Sequence, residues 1–466
     1  MSRADTPPND ATPADATPAD PSRRRLLAGA ATLGTALVAG ATVGVRLPGA
    51  RASDGSPPLA AAAEDAVGRT PAGLERYQQL AIEAGDGEPV CLIDLDAVDA
   101  NLARLRSFAE PQGWHVRPSL KSLQSPEFCG YVLGQLPEPR GMVFHLRHVA
   151  PIVEASPPGV DLLTGYVPTV GELAAHLARP APDVEHRLRV TVDALELLDR
   201  TIDLVRGSDR SEPLELCFEL DAGSGRGGFT DVDEVVAAAG RLREATDAVQ
   251  LTALLCYDGH ATLSPADPVR RTVAQDAQRR LARLHDALRE AAGDAVDELE
   301  VNGPGSSNYV HWVGDDRLTE ISPGSALLYA GYLRAGFDDE DLQLGCVLAA
   351  PVLRVVGPLP RVPLTAVPVP GADREQLMLK GGGWPSGQGR QPELIWPEGI
   401  EENELYGGRG NNTGTVSVPA GAAELGDYVL LWPHQVGDAI DFFGSVTTVR
   451  DGQVADRWAT FDRWGA

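Results

Sequence analysis

Between residues 115 and 322 the chain alternates short apolar runs with segments of helical period, and this alternation limits the possible folds more than any other feature. The extended runs fall at 115–120, 142–146, 161–165, 187–193, 214–221, 249–257, 298–302 and 318–322. Amphipathic segments separate most of them, as at 170–178, 231–245 and 268–292. Eight such strand–helix units over roughly 210 residues suit a closed (β/α)8 TIM barrel. A doubly wound sheet is the competing reading, because alternation does not by itself close a sheet. No GxGxxG follows the preceding apolar run at 90–94, which counts against its dinucleotide-binding form.

The texture changes past Gly336. Short β runs at 347–356, 376–380, 413–418, 427–432 and 445–450 are divided by Pro- and Gly-rich stretches, which predicts a C-terminal all-β domain. The expected layout is a leader at 1–52, a linker and helix at 53–87, the barrel at 88–335 and the β domain at 336–466.

The leader reads as an address. Residues 1–21 are polar and rich in Pro, Ala and Asp, too poor in apolar groups to fold. Arg23, Arg24 and Arg25 then precede a weakly apolar, uncharged run at 26–45, and Ala50-Arg51-Ala52 forms an A-x-A cleavage site. The pattern resembles a twin-arginine (Tat) export signal, so the Tat machinery is an expected partner. The mature protein would begin near Ser53 and work in the periplasm or outside the cell. With a net charge of −26 overall, and six Arg against four Asp in the first 52 residues, the mature part is more acidic still. That argues against nucleic acid and anionic membranes as partners. The five cysteines show no CxxC and no regular spacing, hence neither a disulfide framework nor a zinc motif.

Barrels gather their functional groups at the carboxyl ends of the strands. The first strand ends at Lys121, one of only two lysines in a chain otherwise supplied with arginine. Arginine cannot replace lysine where a neutral amine must form an imine. The fifth strand ends in a glycine-rich loop carrying Arg226, the sixth in Tyr257-Asp258-Gly259-His260, and the seventh in Gly303-Pro304-Gly305-Ser306-Ser307. In the last of these, Gly303 and Gly305 would let backbone N–H groups approach an anion, while Ser306 and Ser307 would open a short helix. A phosphate cradle paired with a lysine points to pyridoxal 5'-phosphate (PLP).

Seven short motifs in order carry a resemblance over nearly the whole mature chain. They are IDLDAVDANLARL (93–105), RPSLKS (117–122), ELDAGSGRGGF (219–229), CYDGH (256–260), VNGPGSSNY (301–309), LTEISPGSALL (318–328) and VRDGQVADRW (449–458). The chain resembles the alanine-racemase-like, fold-type III PLP proteins, and among them the D-threonine aldolase and D-serine dehydratase-like branch. The resemblance implies a PLP barrel with an appended β domain, acting at Cα of D-amino acids as a lyase and working as a homodimer. It gives Lys121 the catalytic imine, Arg226 a place by the cofactor ring or substrate, and Tyr257 and His260 a place by ring or phosphate. Gly303, Gly305, Ser306 and Ser307 would hold the phosphate. An amino-acid racemase and a non-catalytic PLP-binding protein remain alternatives, as does an exported barrel without PLP.

Two departures matter. Ser119 and Leu123 stand where the family places histidines around its lysine. Metal-dependent members carry His-x-Cys or His-x-Asp in the β domain, whereas here His434 is followed at that spacing by Val436, so no divalent metal is expected. His434 with Asp438 is the remaining candidate pair. Lys380 opens a glycine-rich segment that reads either as a surface loop or as a lid over a barrel mouth.

Overall fold

A computed structural model describes residues 70–264, 266–293, 298–335, 342–357, 373–387, 389–403 and 408–462. The segments expected to be an export leader (1–52) and the start of a linker (53–69) lie outside these residues.

Capping chemistry sets the first elements. Thr70 caps α1 (Pro71–Gly85), with Pro71 supplying the preset φ of a first helical residue. Asp94 ends the wholly buried β1 (Val90–Asp94) and caps α2 (Leu95–Ala109), its Oδ1 accepting from the N–H of Asp96 at 3.0 Å and of Ala97 at 3.2 Å. Although β1 falls inside the 88–335 segment expected to form the barrel, it pairs elsewhere, in the second sheet.

The barrel comprises β2 (His115–Val116), β3 (Arg140–Val143), β4 (Val160–Thr164), β5 (His186–Val192), β6 (Leu214–Glu219), β7 (Val249–Leu255), β8 (Glu300–Asn302) and β9 (Glu320–Ile321). All neighbours are parallel, in the order β2-β9-β8-β7-β6-β5-β4-β3. The two ends of that order meet: Ser119 bridges Met142, and Met142 N–H donates to the Pro118 carbonyl at 2.8 Å. Closure excludes the doubly wound sheet. Helices α3 (Pro126–Gly134), α4 (Val149–Ala155), α5 (Val170–Leu177), α6 (Leu195–Arg206), α7 (Val232–Glu244) and α8 (Asp267–Ala292) connect the strands. The helical period shows in α8, where Ala274, Ala277, Leu281, Leu284 and Leu288 form its buried stripe.

The second sheet contains β10 (Cys346–Val356), β11 (Arg374–Lys380), β12 (Glu393–Trp396), β13 (Glu401–Glu402), β14 (Thr413–Pro419), β15 (Tyr428–Trp432), β16 (Ser445–Arg450) and β17 (Gln453–Ala459), with the short α9 (Val436–Ile440) between β15 and β16. β1 sits at its centre, antiparallel to β10 and parallel to β16. The turn between β16 and β17 is Asp451-Gly452, both at positive φ (51° and 74°), the Asp-Gly pair that a two-residue hairpin favours.

Polar groups of the 93–105 motif fasten this sheet to the barrel. Arg450 Nη1 donates to Asp96 Oδ1 at 2.7 Å and Asp99 Oδ2 at 2.9 Å. Buried Asn101 donates to the carbonyls of Leu327 (2.9 Å) and Gln343 (2.8 Å) and accepts from Gln343 N–H at 2.7 Å. These residues are structural: they lock the two parts together.

Candidate active site

The barrel interior is layered. At the amino ends of the strands, Arg117 and Arg189 are fully buried. Arg117 donates to both oxygens of Glu320 at 2.7 and 2.8 Å, and to Asp161 at 3.0 Å. Arg189 reaches Glu300 at 2.6 Å and Asp161 at 3.0 Å, while Arg140 reaches Glu320 at 2.6 Å. Burial alone would raise the Glu320 carboxyl, but the guanidinium groups of Arg117 and Arg140 outweigh it and hold that carboxyl far below its ordinary range. Above this floor lies an apolar layer of Met142, Leu163, Cys217, Ala253 and Leu255. Above that opens a cavity of about 640 Å³ at the carboxyl ends of the strands.

Lys121 stands on its wall. The backbone after β2 stays paired with the chain beyond β9 (Ser119 N–H to the Pro323 carbonyl, 3.1 Å) and then turns at Leu120–Ser122, projecting the lysine upward. From above, Gly437 of α9 lies against the Lys121 carbonyl so closely that any Cβ there would collide with it. The lysine Nζ sits 4.4 Å from the centroid of the Phe144 ring and makes no ion pair among the described residues. Its side chain is open to the cavity, yet protein encloses it on most sides. Poor solvation of the ammonium lowers the Lys121 pKa; Arg226 adds to the effect and Asp438 opposes it.

Opposite, the loop after β6 presents Arg226. Its Nε donates to Glu219 at 2.9 Å and its Nη2 to the Gly165 carbonyl at 2.8 Å, leaving the guanidinium 4.9 Å from the Tyr257 ring centroid. Gly228 in this loop takes φ 103°, where a Cβ would also strike the Asp221 backbone, so glycine is required there. Tyr257 keeps its phenol proton, burial and the nearby Asp258 raising its pKa.

Small residues from two loops form a cup between these groups. Gly305 and Ser306 follow β8; Gly324 and Ser325 follow β9. Ser306 Oγ accepts from the N–H groups of Gly324 and Ala326, both at 3.0 Å, which pins the loops together. A Cβ on Gly324 would come 2.6 Å from Ser122 Oγ and 2.8 Å from Ser119 Cβ, so the floor of the cup exists only because that residue is glycine. Tyr332 reaches Ser325 and Ser306 with a hydroxyl that burial keeps protonated.

Five of the eight sequence-derived site residues therefore share this cavity: Lys121, Arg226, Tyr257, Gly305 and Ser306. Gly303, Ser307 and His260 do not line it. Gly303 packs against Leu318 and Trp312, and buried Ser307 gives its carbonyl to Arg270 of α8 at 3.1 Å. His260 lies in the turn after β7, from which Thr262 reaches the wall instead. The sequence reading missed His145, Tyr166, Tyr332 and Asp441, all of which line the cavity, and named Asp438 only as half of a candidate metal pair. Reading the ends of the second and third barrel strands as well would have found His145 and Tyr166. Asp441 arrives from the β domain, and nothing local announces it.

Of the candidate metal pair, Asp438 lines the cavity while His434 packs edge-on to Tyr332, with ring centroids 5.9 Å apart. No group of three or more His, Cys, Asp or Glu converges as a ligand set among the described residues. Lys380 pairs with Glu88 and borders a separate cavity of about 400 Å³. All five cysteines are free and buried.

The family model described as alanine racemase, N-terminal domain, matches residues 93–331. A D-threonine aldolase from an Arthrobacter species is 26% identical over 375 residues, covering 79% of this chain and 91% of that protein. The solved D-threonine aldolase of Filomicrobium marinum superposes with a TM-score of 0.64 at 19% identity, covering 79% of this chain and 94% of its own. D-threo-3-hydroxyaspartate dehydratase from Delftia sp. HT23 gives 0.63 at 18% identity, with 81% and 98% covered. Alanine racemase from Bacillus anthracis gives 0.60 at 16% identity, with 80% and 97% covered. At these identities the structural likeness speaks for the fold. Matched over more than half its length, the chain belongs to the alanine racemase N-terminal domain family.

Proposed function

We propose that this chain is a PLP-dependent lyase that cleaves D-3-hydroxy amino acids between Cα and Cβ, in the manner of a D-threonine aldolase. One observation carries the reading: a lysine without an ion-pair partner among the described residues, its pKa lowered, faces a cup of Gly305, Ser306, Gly324 and Ser325 across one cavity. The residues present fit the cofactor. The cup admits a phosphate because no side chain larger than serine fills it, and Tyr332 adds a hydroxyl donor there. Arg226 is fixed by Glu219 and Gly165 on the side of the Tyr257 ring, where it can face a ring nitrogen or a substrate carboxylate. Lys121 is the amine for the imine, and poor solvation keeps more of it neutral near neutral pH. When bound, PLP supplies an electron sink for a bond broken at Cα. Similarity to the Arthrobacter aldolase over most of both chains supports cleavage over racemisation.

The same proposal places the enzyme outside the cytoplasmic membrane as a homodimer, exported already folded. The arginine run at 23–25 and the cleavage site ending at Ala52 support the export route. A panel of D- and L-threonine, serine and alanine, offered to PLP-loaded protein with and without chelator, tests the function. Aldehyde release from D-threonine is the expected result. Interconversion of D- and L-alanine without aldehyde would contradict it. Replacing Arg24 and Arg25 with lysine should trap the precursor inside the cell.

A further inference from the structure

Cleaving a 3-hydroxy amino acid requires a base for the hydroxyl proton, and in the function proposed above Lys121, once the substrate amine replaces it in the imine, serves the proton at Cα. We infer that His145 is that base. It follows β3 in extended backbone (φ −139°, ψ 125°) and is exposed on the cavity wall, the one imidazole among the described lining residues.

Its position is built. The His145 ring meets His148 edge-on, with centroids 5.2 Å apart, and His148 in turn stacks flat on Phe461 at 4.0 Å and 6°. Phe461 N–H donates to the Gln124 carbonyl at 2.9 Å, and Gln124 Nε2 donates to the Lys121 carbonyl at 2.9 Å. A bracket of contacts, closed by the C-terminal segment, thus fixes the imidazole and the lysine turn on one wall. The second imidazole does not compete. Arg147 Nε donates to His148 Nε2 at 3.3 Å, and burial with its cationic neighbours pushes His148 down to about 4, so it stays neutral.

The other cavity groups suit the task less well. Burial raises Tyr257 and Tyr332, which therefore keep their protons. Asp438 interacts with the Lys121 charge. An imidazole has a nitrogen that can take a proton from a hydroxyl and later return it. The step balances as follows. The hydroxyl proton passes to His145, and the O–H electron pair becomes the second C–O bond of the departing aldehyde. The Cα–Cβ pair stays on Cα, which takes a proton from the Lys121 side to leave glycine. His145 then returns its proton to the lysine side or to water.

Three PLP-loaded proteins decide the matter: wild type, H145Q and H145A. Aldehyde release from D-threonine should fall about 10²–10⁴-fold in both variants. Exchange of the Cα proton of D-alanine into D₂O, which needs no hydroxyl chemistry, should fall at least about tenfold less than aldehyde release in the same variants, since Lys121 remains in place. Added imidazole should restore part of the H145A rate. As a readout independent of turnover, the His145 Cε1–H NMR signal, assigned by its loss in H145Q, should move when PLP is added. Full D-threonine cleavage by H145Q, or an NMR signal blind to PLP, overturns the inference alone. Wild-type protein that exchanges D-alanine yet releases no aldehyde overturns the function together with the inference.

Discussion

The two ends of the barrel treat charge in opposite ways. At the floor, Arg117, Arg140, Arg187 and Arg189 meet Asp161, Glu215, Glu300 and Glu320 in one continuous set of ion pairs. At the mouth, only a few residues away along the same strands, Lys121 has an aromatic ring beside it, an arginine working against it and one exposed carboxylate in its favour. Buried charge is tolerated at the floor because partners neutralise it. Charge left without a partner at the mouth is destabilised, and a destabilised ammonium is a reactive amine. The floor thus gives the barrel rigidity, and the mouth spends that rigidity on chemistry.

The sharpest break of this contrast is Lys121→Arg. It keeps the charge, removes the only amine of the mouth that can form an imine, and should lower turnover on the order of 10⁴-fold or more in steady-state assays. Next in size is Glu320→Gln, which leaves Arg117 buried without its bidentate acceptor. Urea unfolding should show a loss of about 3–5 kcal/mol, whereas Lys121→Met should stay within about 0.5 kcal/mol of wild type or be more stable. Because the Glu320 carboxyl is held below its unfolded value, its contribution is complete above about pH 4.3 and fades as pH falls toward the folded value. The acid limb of unfolding should therefore flatten in Glu320→Gln. A smaller effect is expected from Asp438→Asn. Asp438 favours the charged lysine, so the variant should move the acid limb of PLP capture to lower pH, and Arg226→Gln should move it higher. The exposed pair Glu196–Arg200 on α6 marks the bottom of the scale: Arg200→Ala should cost about 0.3–0.5 kcal/mol in the same unfolding assay.

What the sequence revealed follows the range of the forces involved. Local period placed the barrel strands because that signal sits within a few residues. The floor was hidden. Arg187, Arg189 and Glu215 alternate along their strands as solvent-facing residues would, and only ring closure turns them inward. The run at 90–94 was not counted among the eight barrel strands, yet the expected barrel bounds enclosed it, because the pairing partners of β1, Cys346 to Ala349 and Thr447 to Val449, lie far along the chain. Lys121 and Arg226 were legible because strand ends in a barrel converge wherever the strands come from. Ser307 and Gly303 stand outside the cavity lining because a Gly/Ser turn presents only some of its residues to the cavity, and Arg270, Leu318 and Trp312 pack against the others.

Reductive trapping tests the central claim most directly. PLP-loaded protein is treated with borohydride, digested, and the pyridoxyl adduct mapped by mass spectrometry. The account predicts a single adduct on Lys121 and loss of the imine absorbance in parallel. An adduct on Lys380, or protein that takes up no PLP, would contradict it.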